Sequence, residues 1–505
     1  MASISTRTSA LAVTVETTEG TPVAPTGASQ FLAAQDDFAM SPAFDVLENA
    51  ELKSSLGKGK SILGAENPSA SFSHYLRHSG VEGTAPNYKE LLQAAFGAED
   101  VEATEYNTVS SSTVSVINVD TGEGAAFRRG QPLLIKDATN GYRIRPVHSI
   151  STDALTIGFQ LPNAPASGVN LGKAITYYPA DSGHQTLTLW QYLGNGGAIQ
   201  MMAGARVTQL DISIAAGELI NASYSLEGVA YYFNPITLAA TDTKLDFTDD
   251  DGTVVATITA GTYKDPHELA AAIQTAMRAV QTSESATVTY SNTTGKYTIL
   301  STGTVLSLLW NSGGQTANTI GDKLGFSVAA DDTGVAATTG YTSDNAVSFA
   351  APYTPSFDSA SPLSAKDNEV MVGDSDDYVC FKASAVDFSM ALTNRKISSV
   401  CAVSGVSGSL INAREVTVTV TALLEQYEAD KFRKFRENED TRFQYSFGNK
   451  SGGNWVAGQC GMLYLPTTTI TSYTISDDDG LASLELVLTS YVDDSGNGEV
   501  YLGFV

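Results

Sequence analysis

Two Asp-Thr-Gly triplets, Asp120-Thr121-Gly122 and Asp332-Thr333-Gly334, are the most chemically suggestive residues in the chain. Paired triplets of this kind let two carboxylates share one proton and activate water, as in pepsin-like aspartic proteases. Here the pairing fails on position. A dyad takes each Asp from matching halves of a duplicated fold, whereas these two lie in non-equivalent segments. They are followed by Glu123 and Val335, where those proteases carry a small hydroxyl residue. In a Thr- and Gly-rich chain the triplet reads as a turn. Gly59-Lys60-Ser61 ends like a phosphate-binding loop, but the glycine needed five residues earlier is Ser54. Gly194-Asn195-Gly196-Gly197 opens like a dinucleotide fingerprint, with Ile199 at the third glycine position. Both read as turns. His74 and His78 stand four apart in a strand-like stretch and lack the glutamate of a zinc-hydrolase helix, so they read as a surface or interface pair. His148, His184 and His267 are isolated. Asp249–Asp251 and Asp477–Asp479 offer carboxylates to calcium without the alternating Asp-x-Asp-x-Asp-Gly spacing, and read as solvated turn tips. Cys380, Cys401 and Cys460 are odd in number and far apart, which excludes a disulfide framework and a metal knuckle; they read as small semi-buried residues. No catalytic, cofactor-binding or metal-binding residue is assigned, and the chain reads as a non-enzyme.

Composition narrows the alternatives. The 505 residues, enough for three or four domains, carry 29 basic and 55 acidic side chains, a formal charge of −26. That is the wrong sign for a dedicated nucleic-acid binder, which releases counterions with clustered Lys and Arg. No apolar run is long enough to span a membrane. The start, Met1 to Arg7, lacks the basic patch and apolar core of a secretory signal. Charged residues make up only 17%, and Ser, Thr, Ala and Val dominate long stretches, as in many short strands with polar outer faces.

The elements repeat. Residues 1–30 show no sustained period and read as an arm that orders against something else. At 205–228, Leu210, Ile212 and Ile214 alternate with Asp211 and Ser213, the chain turns at Ala215-Ala216-Gly217, and Ala222, Tyr224 and Leu226 alternate with polar residues. This is a half-buried antiparallel hairpin. It recurs at Ile470–Ile475 and Leu484–Leu488, the outgoing strand at a constant offset of 263 and the return strand one residue out of step. Before the first hairpin come an extended stretch, Ser69–Tyr75, and a helix at 87–96 capped by Asn87 and stopped by Gly97. Before the second come alternating Val416, Val418 and Val420 and a helix at 428–437 bearing Phe432 and Phe435. Strand, helix and hairpin thus occur twice in one order, an internal duplication. The first copy is longer by a β-rich block with an Asn140-Gly141 hairpin signal. Between the copies lies a ββαββ pattern: strands flank Asp249–Gly252, and Asp265 caps a helix with Leu269, Ile273, Met277 and Val280 along one face. Strands follow at Ala286–Tyr290, Lys296–Leu300 and Val305–Trp310, the first two joined through Thr294-Gly295. The expected architecture is mainly β. Residues 31–104 and 184–235 form a first β-sandwich domain and 350–505 a second, both with short helices. A small β-barrel-like insertion occupies 105–183 and an α+β insertion 236–349.

This order resembles the tail tube proteins of long-tailed bacteriophages. The residues that carry the resemblance are Ser69–Tyr75, Tyr88 to Gly97, the hairpin from Gly204 to Gly228, and the closing stretch Ser490–Tyr501. The resemblance implies a structural virion protein that polymerises into stacked rings, forming an acidic channel through which genomic DNA passes without specific binding. It implies a tape-measure protein, a tail terminator and distal tail proteins as partners. It also implies a place in the virion tail, reached by assembly in the host cytoplasm, with no cofactor and no membrane insertion. If simple tubes stack six-subunit rings, two tube domains per chain call for a trimeric, pseudo-sixfold ring. Acidic walls repel the duplex and let it slide, whereas each Lys or Arg would hold a phosphate. The insertions are expected outside the channel. Rival readings are another β-rich phage structural protein, in decoration or baseplate, and a surface carbohydrate-binding adhesin. The adhesin calls for exposed aromatic platforms, for which Trp190, Trp310 and Trp455 are few and scattered.

Overall fold

The computed structural model describes residues 4, 6–51, 57–137, 139, 141–194, 196–357, 360–424, 429–493 and 498–505. The fold is mainly β with few short helices. Two compact units emerge: residues 1–11, 189–202 and 230–354 form one, and residues 12–188, 203–229 and 355–505 the other.

The larger unit is organised by one antiparallel ladder. Its strands are β1 (Ala39–Ser41), β2 (Ser69–Tyr75), β3 (Ala198–Ala215, in this unit from Ala203), β4 (Asn221–Glu227), β5 (Ala383–Ser398), β6 (Val406–Leu423), β7 (Asn454–Asp478) and β8 (Leu481–Ser490). In space they run β1-β2-β4-β3-β5-β6-β8-β7. Period two decides which face is buried: Phe72, Tyr224, Leu210, Ile212, Phe388, Met390, Val418, Val420, Leu486 and Leu488 all lie on the inner side. The β7–β8 turn is the two-residue loop Asp479-Gly480, with φ of 55° and 90°; positive φ at both positions matches the strands' twist.

The ladder contains the same motif twice. Ala39 pairs with Ser71, and Asp387 pairs with Thr419, each member 348 positions later. Leu210 pairs with Tyr224, and Tyr473, 263 positions on, pairs with Leu486, 262 positions on. Phe72 stands opposite Tyr224 as Val420 stands opposite Leu486. Helix α1 (Lys89–Phe96) buries Leu91, Leu92, Ala94, Ala95 and Phe96 and ends on Gly97 at φ 95°. Its N-cap is Tyr88 with no side-chain cap, not Asn87. In the second copy, α2 (Ala429–Glu437) sets Phe432 and Phe435 against Tyr473. Residue 428, where the sequence reading begins this helix, lies outside the described residues.

The sequence reading of 1–30 as an arm without period needs correction, because Ala10–Val15 is a strand with Leu11, Ala12 and Val13 buried. Covered on both faces, it reads as a continuous apolar run with no alternation to detect. Within 105–183, strands Val116–Asn118, Ala154–Ile157, Gly141–Ser151 and Pro132–Asp137 form a four-stranded antiparallel sheet in that order. Ile117, Leu133, Ile135, Val147, Leu155 and Ile157 give this sheet a core of its own. Residue Asn140 of the expected turn lies outside the described residues. Strand Ala174–Pro179 does not join this sheet; it pairs with Gly97–Glu102 and Tyr501–Phe504.

In the smaller unit, strands Lys244–Asp249 and Gly252–Thr257 form the expected hairpin. Helix Pro266–Arg278 follows, with the Asp265 carboxylate accepting from the amides of His267 and Glu268. Strands Ala286–Ser291 and Lys296–Ser301 pair through a turn containing Gly295 at φ 69°. Leu269, Ile273, Met277, Phe247, Tyr297 and Trp310 build one core. Of the strands too brief to show a period, Ile236–Leu238 and Gly261–Tyr263 pair with each other, and Tyr341–Thr342 joins Lys296–Ser301.

Candidate assembly face and edges

The Asp-Thr-Gly triplets, the glycine loops, the histidines and the cysteines lie in separate parts of the chain, whereas Asp249 of the acidic turn is buried and not solvated. Each Asp-Thr-Gly triplet is a turn whose glycine, Gly122 or Gly334, has φ of 88° or 83°. Asp120 is exposed, and Asp332 accepts from the Trp310 indole at 2.9 Å. Gly59-Lys60-Ser61 leads into strand Ile62–Glu66 and not into the helix a phosphate site requires. Gly194 and Gly196 turn the chain with φ of 58° and 86°; Asn195 and Ser54 lie outside the described residues. His74 is not a surface residue. It is 1% exposed, stacked on Tyr224 and tilted against Tyr88, and burial with the nearby Arg77 charge lowers its pKa to about 4. His78 is buried too, beside Asn449. Cys460 is buried, whereas Cys380 and Cys401 are exposed, which corrects the expectation of three semi-buried thiols. All three tryptophans are buried.

What the ladder does present is a continuous polar face. One row of cross-strand neighbours reads Ser73, Ser223, Asp211, Ser389, Thr417 and Thr489; the next reads Asn221, Ser213, Asp387, Thr419 and Val487. Short hydroxyls bridge the strands: Ser73 to Ser223 at 2.9 Å, Ser213 to Asp387 at 2.7 Å, Thr471 to Thr489 at 3.1 Å. The charged members of these two rows and of the rows directly beside them are Asp211, Asp387, Glu415 and Glu485, with no Lys or Arg among them; one row further out, Glu227 stands opposite Arg206. Sequence reasoning found each strand's alternation, but the alignment of acids into rows depends on register.

The centre of the ladder is a seam between the two copies. There β3 of the first copy lies antiparallel to β5 of the second: Asp211 opposite Ser389, Ile212 opposite Phe388, Ser213 opposite Asp387. The outer ends of the ladder are the corresponding strands without that neighbour. Among the described residues, β1 is in register only with β2, and Thr474–Asp477 of β7 only with β8. Burial records the difference. Ile212 is 4% exposed, and Ile475, its counterpart 263 positions on, is 55% exposed. Two apolar projections accompany these edges. Strands Phe44–Leu47 and Ile62–Glu66 pair into a ribbon exposing Val46, Leu47, Ile62 and Leu63, and the β5–β6 hairpin ends in exposed Val400 and Val403.

The family model described as phage tail tube protein matches residues 6–264, just over half the chain. Among solved structures, the chain is similar to a chain in the virion of a native gene transfer agent particle: 16% identity, TM-score 0.20, 27% of this chain and 95% of that one. It is similar to a chain in the tail of an empty gene transfer agent particle with C6 symmetry: 16% identity, TM-score 0.20, 28% and 96% covered. A type six secretion system protein shows 8% identity and a TM-score of 0.15 over 26% of this chain and 90% of its own. No curated protein matches. The family match over half the chain decides the assignment: the chain belongs to the phage tail tube protein family, whose members are structural virion proteins and not enzymes.

Proposed function

We propose that the chain is a tube subunit carrying two tube domains, and that three copies close into a pseudo-sixfold ring that stacks into the tail tube. Residues 31–104 with 184–235, and 350–505, act as the two domains; 105–183 and 236–349 are insertions placed outside the channel. The observation that carries this reading is the internal seam. Applying its register to the unoccupied edges sets Thr474, Ile475 and Ser476 of one copy opposite Ser41, Met40 and Ala39 of the next. An unpaired edge with an exposed isoleucine is a template for strand addition, and a ring removes it by closure. The exposed apolar ribbon and hairpin tip supply contacts between stacked rings.

The polar face supports a role as the channel wall. Hydroxyls and carboxylates without a cation give DNA no phosphate contact, so the duplex passes by repulsion. Tape-measure, terminator and distal tail proteins are the partners this role requires, in a virion tail assembled in the host cytoplasm. Negative-stain electron microscopy of concentrated protein, with native mass determination, tests the proposal. Hollow stacked rings of three chains support it; six chains per ring, or a chain that stays monomeric at high concentration, overturns it.

A further inference from the structure

We propose that the 236–349 insertion holds one Ca²⁺ ion between Asp249, Asp251 and Glu284. Asp249 closes strand Lys244–Asp249, Asp251 sits in the two-residue turn after it, and Glu284 lies on the connection from helix Pro266–Arg278 to strand Ala286–Ser291. One carboxylate oxygen from each lies within 4.8 Å of the other two. Two oxygens bound to one ion stand no further apart than twice the metal–oxygen distance, about 4.6–5.2 Å for Ca²⁺ and about 4.0–4.2 Å for Mg²⁺. The set is all oxygen, without Cys or His, as a hard cation prefers.

A second observation separates this group from an exposed acidic turn. Asp249 is 3% exposed, its side chain offers a carboxylate oxygen to the group, and its Oδ2 has no hydrogen-bond partner. Both Glu284 oxygens are likewise shielded from solvent. A buried carboxylate oxygen without partner or counter-ion is costly, and a cation removes the cost. The surrounding bonds hold the ligands in place without satisfying them. Asp249 Oδ1 accepts from the Asp251 amide at 3.0 Å. Asp251 accepts from the Thr282 and Ser283 amides and the Ser283 hydroxyl. Asp250 is occupied by Thr304 and Val305. No Lys, Arg or His is ion-paired to these carboxylates among the described residues. The sequence shows only Asp249–Asp251; Glu284, more than thirty residues on, comes to them through the fold.

The test uses the full chain stripped with chelator, and titrates CaCl₂ by calorimetry and by thermal unfolding. One saturable site per chain is expected, with a higher Tm for the insertion, loss of that shift with chelator, and at least tenfold weaker binding in Glu284→Gln and in Asp249→Asn. Diffuse binding that survives both substitutions would assign the heat to the acidic surface and overturn the proposal. So would an equal response to MgCl₂. Absence of any Ca²⁺ effect, with Glu284→Gln as stable as the parent at neutral pH, would show that a proton occupies the group instead. Wild-type binding is measured independently of either variant, so a variant that fails to fold leaves the result readable.

Discussion

At the scale of single residues, His74 is the clearest case of burial setting chemistry. Enclosed between Tyr88 and Tyr224, it has a folded pKa of about 4 against an ordinary value near 6.5. The unfolded chain therefore takes up the proton first as pH falls. The neutral-His contribution is complete above pH 6.5 and disappears progressively between about 6.5 and 4. Up to about 3 kcal/mol is lost across that window. Chemical denaturation of wild type and His74→Phe at pH 7.5 and pH 5 should show a smaller loss in the variant; equal losses would remove His74 as the cause. His148, also lowered to about 4 by burial and then by the Arg442 and Arg129 charges, adds acid sensitivity in the same direction. Ile475 makes the opposite point, an apolar side chain exposed because its neighbour belongs to another molecule in the proposed ring. Ile475→Lys should leave far-ultraviolet dichroism unchanged and the unfolding free energy within about 0.5 kcal/mol of the parent. Tube formation in the same protein, scored by electron microscopy, should be abolished.

At the scale of elements, the end of α1 depends on Gly97. Its φ of 95° is left-handed, and a Cβ there would meet the His184 ring at 3.1 Å and Ala180 at 3.2 Å. Gly97→Ala should cost about 1–2 kcal/mol, read as a lower denaturation midpoint with an unchanged slope. A stability equal to wild type would mean the helix end rearranges. The seam makes a second element-scale prediction. Cysteines at Met40 and Ile475 should cross-link different chains on oxidation, because the translated register sets them opposite one another. A pair one residue out of register, Met40 with Thr474, places its side chains on opposite faces and should cross-link poorly. Equal cross-linking of both pairs would show that the edges meet in some other register.

At the scale of the whole molecule, hairpin alternation, the turn glycines, the Asp265 cap and the repeat of strand, helix and hairpin were legible in the residues, because each is a local consequence of periodicity or backbone freedom. The strand Ala10–Val15 was not, since burial on both faces erases alternation. Neither was the Asn87 cap, displaced to Tyr88 where the chain enters the helix from the packed core. The offset of 263 announced a duplication; only pairing showed that the two copies share one sheet, with β3 against β5. Composition supplied an acidic chain, and register gathered Asp211, Asp387 and Glu485 onto one polar face. Asp249–Asp251 stood out as a charged turn, and the approach of Glu284 made it a candidate ion site. The sequence by itself determined the periods and local turns, because those depend on neighbours along the chain. Tertiary structure decided which edges are filled, which acids meet and which isoleucine is left exposed, because those depend on contacts between residues hundreds of positions apart.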